Sequence, residues 1–512
     1  MFAQVMSNFL VPLNWVLVVA GVIVGMIFGA IPGLSATTCM ALMLPLSFTM
    51  APEVGIIFLG SIYVGGVSGS LISAILLGIP GQAASIATCF DGYPMAKKEQ
   101  ASRALGVGIL SSFIATVLSV LVAMLFCPTL ARWAVKLGPW ESFSLCFCAI
   151  ILVVTLSKGN MFNGLIAGFL GMFLSTVGIS PIDGALRFTF GNFNLISGLS
   201  LLAVMLGVFA MGNLVRDFAK NDMESPDIDT KSIKGLGLPL REYFSHWLLI
   251  IKSWLIGLWI GFLPGMGAGL ANIVAYSQAK ASSKHPEKFG TGCDEGIIAS
   301  EVSNNAAIGG AIIPMIALGI PGDSPTALLL SGLMVHGIDV GPLLMTTRPA
   351  LVYCFFAVLL IGAIVTFVVQ MGGMRVFPYI LKVPSHYLYA AIFLICFAGI
   401  WSDTKTLFAI GMMIAFAVLG VVMGDFNLPM SPFILGFILG PMLEKNLRMG
   451  LTYTDDGFLP FITRPVSGIL LLVAFASLFW PMIRDYRAKK RAEAGKTNEI
   501  QAKADAYEAE DD

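Results

Sequence analysis

The sequence predicts an all-α polytopic integral membrane protein, and three observations carry that prediction. First, 57% of the 512 residues are hydrophobic and 12% charged, with mean hydropathy +0.86. Soluble domains run about 45–50% apolar and about 25% charged. Second, the apolar residues fall in long runs without ten-residue alternation, so helices span and a closed strand barrel is excluded. Third, many of the 55 Gly and 26 Pro lie inside those runs. That predicts helices broken at membrane depth, which persist only where protein or a polar cavity satisfies the freed backbone groups. A soluble globule, a nucleic-acid binder and a disordered chain are excluded by the same composition.

Apolar segments lie at 10–31, 34–50, 54–79, 104–127, 140–156, 160–178, 195–215, 246–263, 266–280, 297–320, 324–336, 349–371, 386–401, 404–424, 430–442 and 464–483. A spanning helix needs about 20 apolar residues, so these supply roughly 10–14 membrane segments, several too short to span alone. The first run lacks a basic n-region and a small-residue cleavage site, and reads as a membrane segment rather than a signal peptide. The stretch from Lys220 to Glu242 carries nine charged residues with Pro226 and Pro239. It reads as a connector. The expected organisation is a first transmembrane repeat over 1–218, the connector over 219–245, a second repeat over 246–483 and a charged cytoplasmic tail over 484–512. Lys+Arg and Asp+Glu balance at 30 each, so net charge designates no partner. The eight cysteines are scattered, show no metal or disulfide spacing, and read as small buried residues.

The halves repeat each other. Gly25-x3-Gly29-x2-Pro32-Gly33 recurs 232 positions later (25 to 257) as Gly257-x3-Gly261-x2-Pro264-Gly265. Leu77-Gly78-Ile79-Pro80-Gly81 recurs unchanged 241 positions later (77 to 318) as Leu318-Gly319-Ile320-Pro321-Gly322. Basic loops alternate between the halves: Lys97, Lys98 and Arg103 follow the second motif in one, and Lys280, Lys284 and Lys288 separate the motifs in the other. Lys/Arg-rich short loops stay in the cytoplasm, so alternation predicts repeats of opposite orientation. The cluster Arg484 to Arg491 places the C-terminus in the cytoplasm by the same rule. Arg132 and Lys136 fit this scheme poorly.

Each Pro-Gly pair ends one helix and opens another. Proline removes a donor and glycine frees the turn. The new helix then starts inside the membrane, with free N–H groups and a positive dipole end aimed at whatever fills the cavity. Paired broken helices in two inverted halves point to a transporter site near the midplane. The expected substrate-binding set is Pro32, Gly33, Ser35, Thr37, Thr38, Pro80, Gly81, Gln82, Ser85, Pro264, Gly265, Gly267, Asn272, Pro321, Gly322, Ser324 and Thr326. The bland alternative is that the glycines only let helices pack closely.

The polar stretch Glu301-Val302-Ser303-Asn304-Asn305-Ala306 offers amide oxygens for a hard cation or donors for a carboxylate. The expected cation-binding set is Ser303, Asn304, Asn305, Gly78, Gly319 and Asp323, with sodium as a possible coupling ion and no other cofactor or metal. Of the isolated acids Asp91, Asp183, Asp323, Asp339, Asp403 and Asp425, most adjoin Gly or Pro at segment ends where water is near. Only Asp323 falls next to a break. Enzyme motifs are unsupported. Gly66-Val67-Ser68-Gly69 has no histidine that the sequence places in reach. Gly424-Asp425 has no second aspartate motif, and His-Glu-x-x-His and a complete Gly-x4-Gly-Lys-Ser/Thr loop are missing from the sequence.

At these residues the sequence resembles the large permease subunit of the tripartite tricarboxylate transporters, the TctA family. The resemblance covers about residues 10–480. Its marks are Gly25 to Leu34, Leu77 to Gly81 followed by Asp91-Gly92-Tyr93-Pro94-Met95-Ala96, Glu301 to Ala306, Leu318 to Gly322, and Gly436 to Glu444. It implies secondary active uptake of carboxylates, citrate among them, across a bacterial inner membrane and driven by a cation gradient. It also implies two partners: a small TctB-type membrane subunit and a periplasmic TctC-type substrate-binding protein. Gly78, where many relatives carry Asn, and Ser303, where Ala is usual, depart from the family's pattern.

Overall fold

A computed structural model describes residues 5, 9–156, 161–180, 182–219, 237, 240–381 and 385–479. The expected tail and most of the expected connector lie outside the described residues. The longer helices are α1 (Pro12–Ala30), α2 (Ala36–Ser47), α3 (Pro52–Leu76), α4 (Ile86–Lys97), α5 (Ala101–Ala134), α6 (Pro139–Leu156), α7 (Met161–Ser175) and α8 (201–219). After them come α9 (Trp247–Phe262), α10 (Gly267–Ser282), α11 (Asp294–Leu318), α12 (Ser324–Val335), α13 (Pro349–Gly373), α14 (Ser385–Thr404), α15 (Leu407–Asp425), α16 (Met430–Thr452) and α17 (Pro465–Phe479). Among the described residues, strand is confined to the two-residue antiparallel pair Gly178–Ile179 and Leu186–Arg187. The fold class is therefore all-α.

Five of these helices are long and apolar enough to cross a membrane: α1, α3, α5, α13 and α15. Shorter apolar helices accompany them. Large apolar side chains face outward, among them Leu125, Leu407 and Leu472, each more than 70% exposed. In water such a surface would aggregate; against acyl chains it is the stable arrangement. The helices at the centre are the reverse. The apolar window of α3 is wholly buried, and α11 is buried at every residue from Gly296 to Ala317.

Small residues set the packing. A Cβ added to Gly25 would lie 2.4 Å from the Ile62 carbonyl oxygen, and one on Gly257 2.3 Å from that of Ser303. Gly29 meets the Gly66 carbonyl as Gly261 meets that of Ala307. Gly81 meets the Gly29 carbonyl as Gly322 meets that of Gly261. Each second contact repeats the first at the sequence offsets of the two motifs. The repeat is thus structural, contact for contact. Close backbone approach supplies the dispersion that holds helices together where no hydrophobic driving force separates protein from lipid.

The same contacts give direction. α1 runs alongside α3 until Gly29 meets Gly66, near mid-height. α2 then returns, with Ala36 beside Gly66 and Ser47 beside Gly55. The α1–α2 pair is a hairpin that enters and leaves at one end. α9 and α10 form the matching hairpin on α11, since Gly257 meets Ser303 while Tyr276 comes back beside Gly296. α4 leaves at the C-terminal end of α3, where Gly92 packs on Ile75. That is where α11 begins, with Gly292 on Met95 and Gly296 on Asp91. α11 ends with α12 returning to the start of α3, His336 against Gly55. Corresponding helices α3 and α11 therefore run in opposite directions, as the alternating basic loops predict.

Candidate functional site

Four helix breaks converge at mid-height. Pro32 and Pro264 follow the ends of α1 and α9, and the glycines after them turn through the left-handed region at Gly33 (φ 87°) and Gly265 (φ 70°). Gly78 (φ 69°) and Gly319 (φ 74°) do the same at the ends of α3 and α11. The tips touch across the halves: a Cβ on Gly267 would lie 2.9 Å from that of Asp323, and one on Gly269 3.5 Å from that of Ala83.

The helix starts differ in charge. Ser35 caps α2, its Oγ accepting from the Thr38 N–H at 3.1 Å. Asp323 caps α12: its Oδ1 accepts from the Thr326 N–H at 2.8 Å, and Thr326 Oγ1 accepts from the Asp323 N–H at 2.9 Å. Tyr63 donates to Asp323 Oδ2 at 3.0 Å. α4 and α10 have no side-chain cap. The partners of Tyr63 and Asp323 at the 241-residue offset are Asn304 and Gln82. One half therefore presents a phenol and a carboxylate where the other presents two amides. The α12 tip already holds a negative charge, whereas α10 starts without a side-chain cap and α4 is met only by a neutral amide from α10.

Several expected site residues are engaged with the protein itself. Asn272 Oδ1 accepts from the Ala87 N–H at 2.7 Å and its Nδ2 donates to the Ser300 carbonyl at 3.3 Å. It pins α10 between α4 and α11. Ser85 donates to the Gln82 carbonyl and Gln82 to that of Val67. Ser324 pairs with Ser431 of α16 at 3.3 Å. Ser303 donates to the Ala299 and Ser300 carbonyls of its own helix. Ser68 donates to Asn305 Oδ1 at 2.7 Å.

Asn304 and Asn305 belong to a polar cluster whose centre the expected set omits. Glu301 is fully buried. Its carboxylate accepts from Thr88 at 2.6 Å, Ser112 at 3.1 Å, Asn305 at 3.3 Å and Asn304 at 3.5 Å. Asn305 Nδ2 also donates to Ser112 Oγ at 2.8 Å. The available signal is the acid itself, a single carboxylate inside the long run 296–318 beside Ser303, Asn304 and Asn305.

Two expectations change. Asp91 is not near water: it is fully buried. Its Oδ1 accepts from the N–H groups of Gly290, Gly292 and Cys293 at 2.8–3.1 Å, and its Oδ2 from Tyr276 at 2.8 Å. The loop before α11 folds over α4 and excludes solvent. Cys89 and Cys293 are only half-buried, against six cysteines that are buried. Burial, then the Asp91 charge, pushes the Cys293 thiol up to about 12.

Fold and site together define a class: a polytopic helical membrane protein whose two inverted halves meet in broken helices. Residues 15–435 match the model of the Tripartite tricarboxylate transporter TctA family. The chain belongs to that family, a family of transporters. It is 32% identical over 481 residues, 94% of this chain and 95% of the relative, to the "Uncharacterized 52.8 kDa protein in TAR-I ttuC' 3'region" of Agrobacterium vitis. It is 31% identical over 231 residues, 45% of this chain and 96% of the relative, to the "Uncharacterized protein in TAR-II ttuC' 3'region" of the same organism. No solved structure matches it.

Proposed function

We propose that the chain is the permease subunit of a binding-protein-dependent secondary transporter that imports di- or tricarboxylates, citrate among them, with sodium as the coupling ion. The observation that carries this reading is the meeting of four broken helices from two inverted halves, one of which, α10, starts without a side-chain cap. The α4 and α10 N-termini suit substrate carboxylates. They hold an anion through backbone donors rather than fixed arginines, which favours release as well as binding. The polar cluster at Asn304 and Asn305 suits the cation. Alternating exposure follows when one group of helices moves against another around the midplane.

The same reading places the chain in a bacterial inner membrane beside a small TctB-type subunit, with a TctC-type periplasmic protein delivering substrate. Lys97, Lys98, Lys280, Lys284 and Lys288 gather at one end of the molecule, which is therefore the cytoplasmic end. α17 runs toward that end parallel to α6, as Phe475 packs on Phe147 and Ser467 on Ser144. The C-terminus is cytoplasmic.

The test is uptake of labelled di- and tricarboxylates into proteoliposomes holding both membrane subunits and the binding protein, with and without an inward sodium gradient at fixed pH. Concentrative uptake that needs both gradient and binding protein is expected. Asn304→Ala and Asn305→Ala are expected to abolish it while the protein stays folded. Equilibrative flux that needs neither would replace the transporter by a passive facilitator.

A further inference from the structure

We propose that Glu301 is the anionic ligand of a sodium site built from its carboxylate, Asn304 Oδ1, Ser112 Oγ and Thr88 Oγ1. The inference rests on the cation-coupled reading above and names the charge that binds the cation.

Glu301 is 0% exposed and sits in a wholly buried stretch of α11. Its four hydrogen-bond partners are neutral: Thr88, Ser112, Asn304 and Asn305. Among the described residues no Lys, Arg or His forms a salt bridge with it. A buried carboxylate costs several kcal/mol unless its charge is compensated. Neutral donors compensate in part; a cation from solution completes the compensation.

The second observation is independent. Asn304 is 0% exposed and its Oδ1 has no hydrogen-bond partner. The Nδ2 of the same amide lies 3.5 Å from Glu301 Oε2. Rotation of that amide exchanges a weak donor for an unpartnered acceptor beside the carboxylate. A buried acceptor left unpaired beside an acid is what a cation would satisfy.

The ligand chemistry selects the ion. All four ligands are hard oxygens, and they carry a single negative charge. Among the described residues no three His, Cys, Asp or Glu side chains group together as a metal site. One charge with hydroxyl and amide oxygens suits a hard monovalent ion, whereas divalent ions gather more carboxylates.

The site also joins the halves. Thr88 lies on α4 and Ser112 on α5, both in the first half, while Glu301 and Asn304 belong to the second. Sodium held among them ties the α4 start to α11, so its arrival favours one packing of the breaks over another. Ligand affinity that differs between two packings is what coupling requires.

Purified full-length protein in detergent tests this by thermal unfolding in NaCl, KCl and choline chloride at equal ionic strength and fixed pH. A sodium-specific rise of about 5 °C at saturation is expected, since a ligand of the folded state alone stabilises it by mass action. Glu301→Gln, nearly isosteric, should abolish that rise, and Asn304→Ala should shrink it. If Glu301→Gln does not fold, Ser112→Ala and Asn304→Ala read the same increment. No sodium-specific rise in the unaltered protein would overturn the site. So would an undiminished rise in Glu301→Gln or, if that variant does not fold, in both alternates. Stabilisation by acid alone, lost in Glu301→Gln, would put a proton in place of sodium and overturn the assignment. Binding needs neither substrate nor binding protein. Sodium bound at Glu301 without carboxylate uptake would sink the transporter reading and leave the site. Sodium-driven uptake unchanged in Glu301→Gln would do the reverse.

Discussion

Asp91 stands buried in α4 between Phe90 and Gly92, and three backbone N–H groups and one phenol converge on it. The loop before α11 has glycines at 290 and 292, both at positive φ, which lets successive N–H groups turn toward one oxygen. Hydrogen bonds to a charged group contribute about 1.5–3 kcal/mol each, and a buried donor left unpaired costs about 1–3 kcal/mol. Asp91→Ala is therefore expected to destabilise the protein by about 3 kcal/mol or more. Asp91→Asn keeps the shape and removes the charge. Cys293 reports on this latch, because burial and the Asp91 charge together suppress its thiolate. Maleimide labelling of Cys293 in a Cys89→Ser background should quicken about tenfold in Asp91→Asn. Equal labelling rates with and without the substitution would show that Asp91 does not hold the loop closed.

At the scale of helices, glycine positions decide which pairs can touch. A methyl on Gly29 would lie 2.1 Å from the Gly66 oxygen, and one on Gly261 2.6 Å from the Ala307 oxygen. In both places the obstacle is backbone, which cannot rotate away. Gly29→Ala and Gly261→Ala should each cost about 1–3 kcal/mol by overpacking. Gly372 has nothing within 4 Å of an added Cβ, and Gly372→Ala should be neutral or slightly stabilising. Midpoints of thermal unfolding for the three variants check this; a silent Gly29→Ala would refute the close packing of α1 on α3. These contacts also show why part of the design was legible in the sequence. Pro-Gly pairs act through their own backbone, so their recurrence announced four breaks and two halves. Side-chain roles depend on partners far along the chain. Asn272 reads as a donor and acceptor in a cavity until Ala87, 185 residues away, takes its oxygen. Asp323 reads as a cation ligand until its capping of α12 and its bond from Tyr63, 260 residues away, are seen. Glu301 was visible as an acid, but its isolation from any basic partner is a fact of three dimensions.

The whole molecule has two chemically different ends, and inversion explains why each repeat contributes to both. Where α3 ends and α11 begins lie Lys97, Lys98, Lys280, Lys284 and Lys288. Lys98 ties the end of α4 to the segment before α11 through the Thr291 carbonyl, and Arg103 ties α5 to Asp294 at the α11 start. The opposite end also carries arginines, but Arg187 pairs with Glu444 at 2.7 Å, Arg448 with Asp183 at 2.6 Å and Arg464 with Glu141 at 3.2 Å. The Ser180 hydroxyl and Arg448 hold Asp183 well below the usual carboxylate range, so that pairing persists into acid. The positive-inside rule counts Lys and Arg rather than net charge, so pairing with an acid does not discount these arginines. With Arg132 and Lys136 they make this end fit a plain count of basic residues poorly, and the orientation rests on the lysines clustered at the other end. The sidedness follows as an expected outcome in whole cells. With Cys293 and Cys89 replaced by serine, Asp455→Cys should react with an impermeant maleimide from outside. Lys98→Cys and Lys284→Cys should react only after the membrane is opened. Those two lysines come from different halves, one after the second break and one between the breaks. A parallel repeat would put them on opposite sides; only an inverted one puts them together. Labelling of Lys98→Cys and Lys284→Cys from opposite faces would therefore refute the inversion. Labelling of both from outside would keep the inversion and reverse the molecule in the membrane.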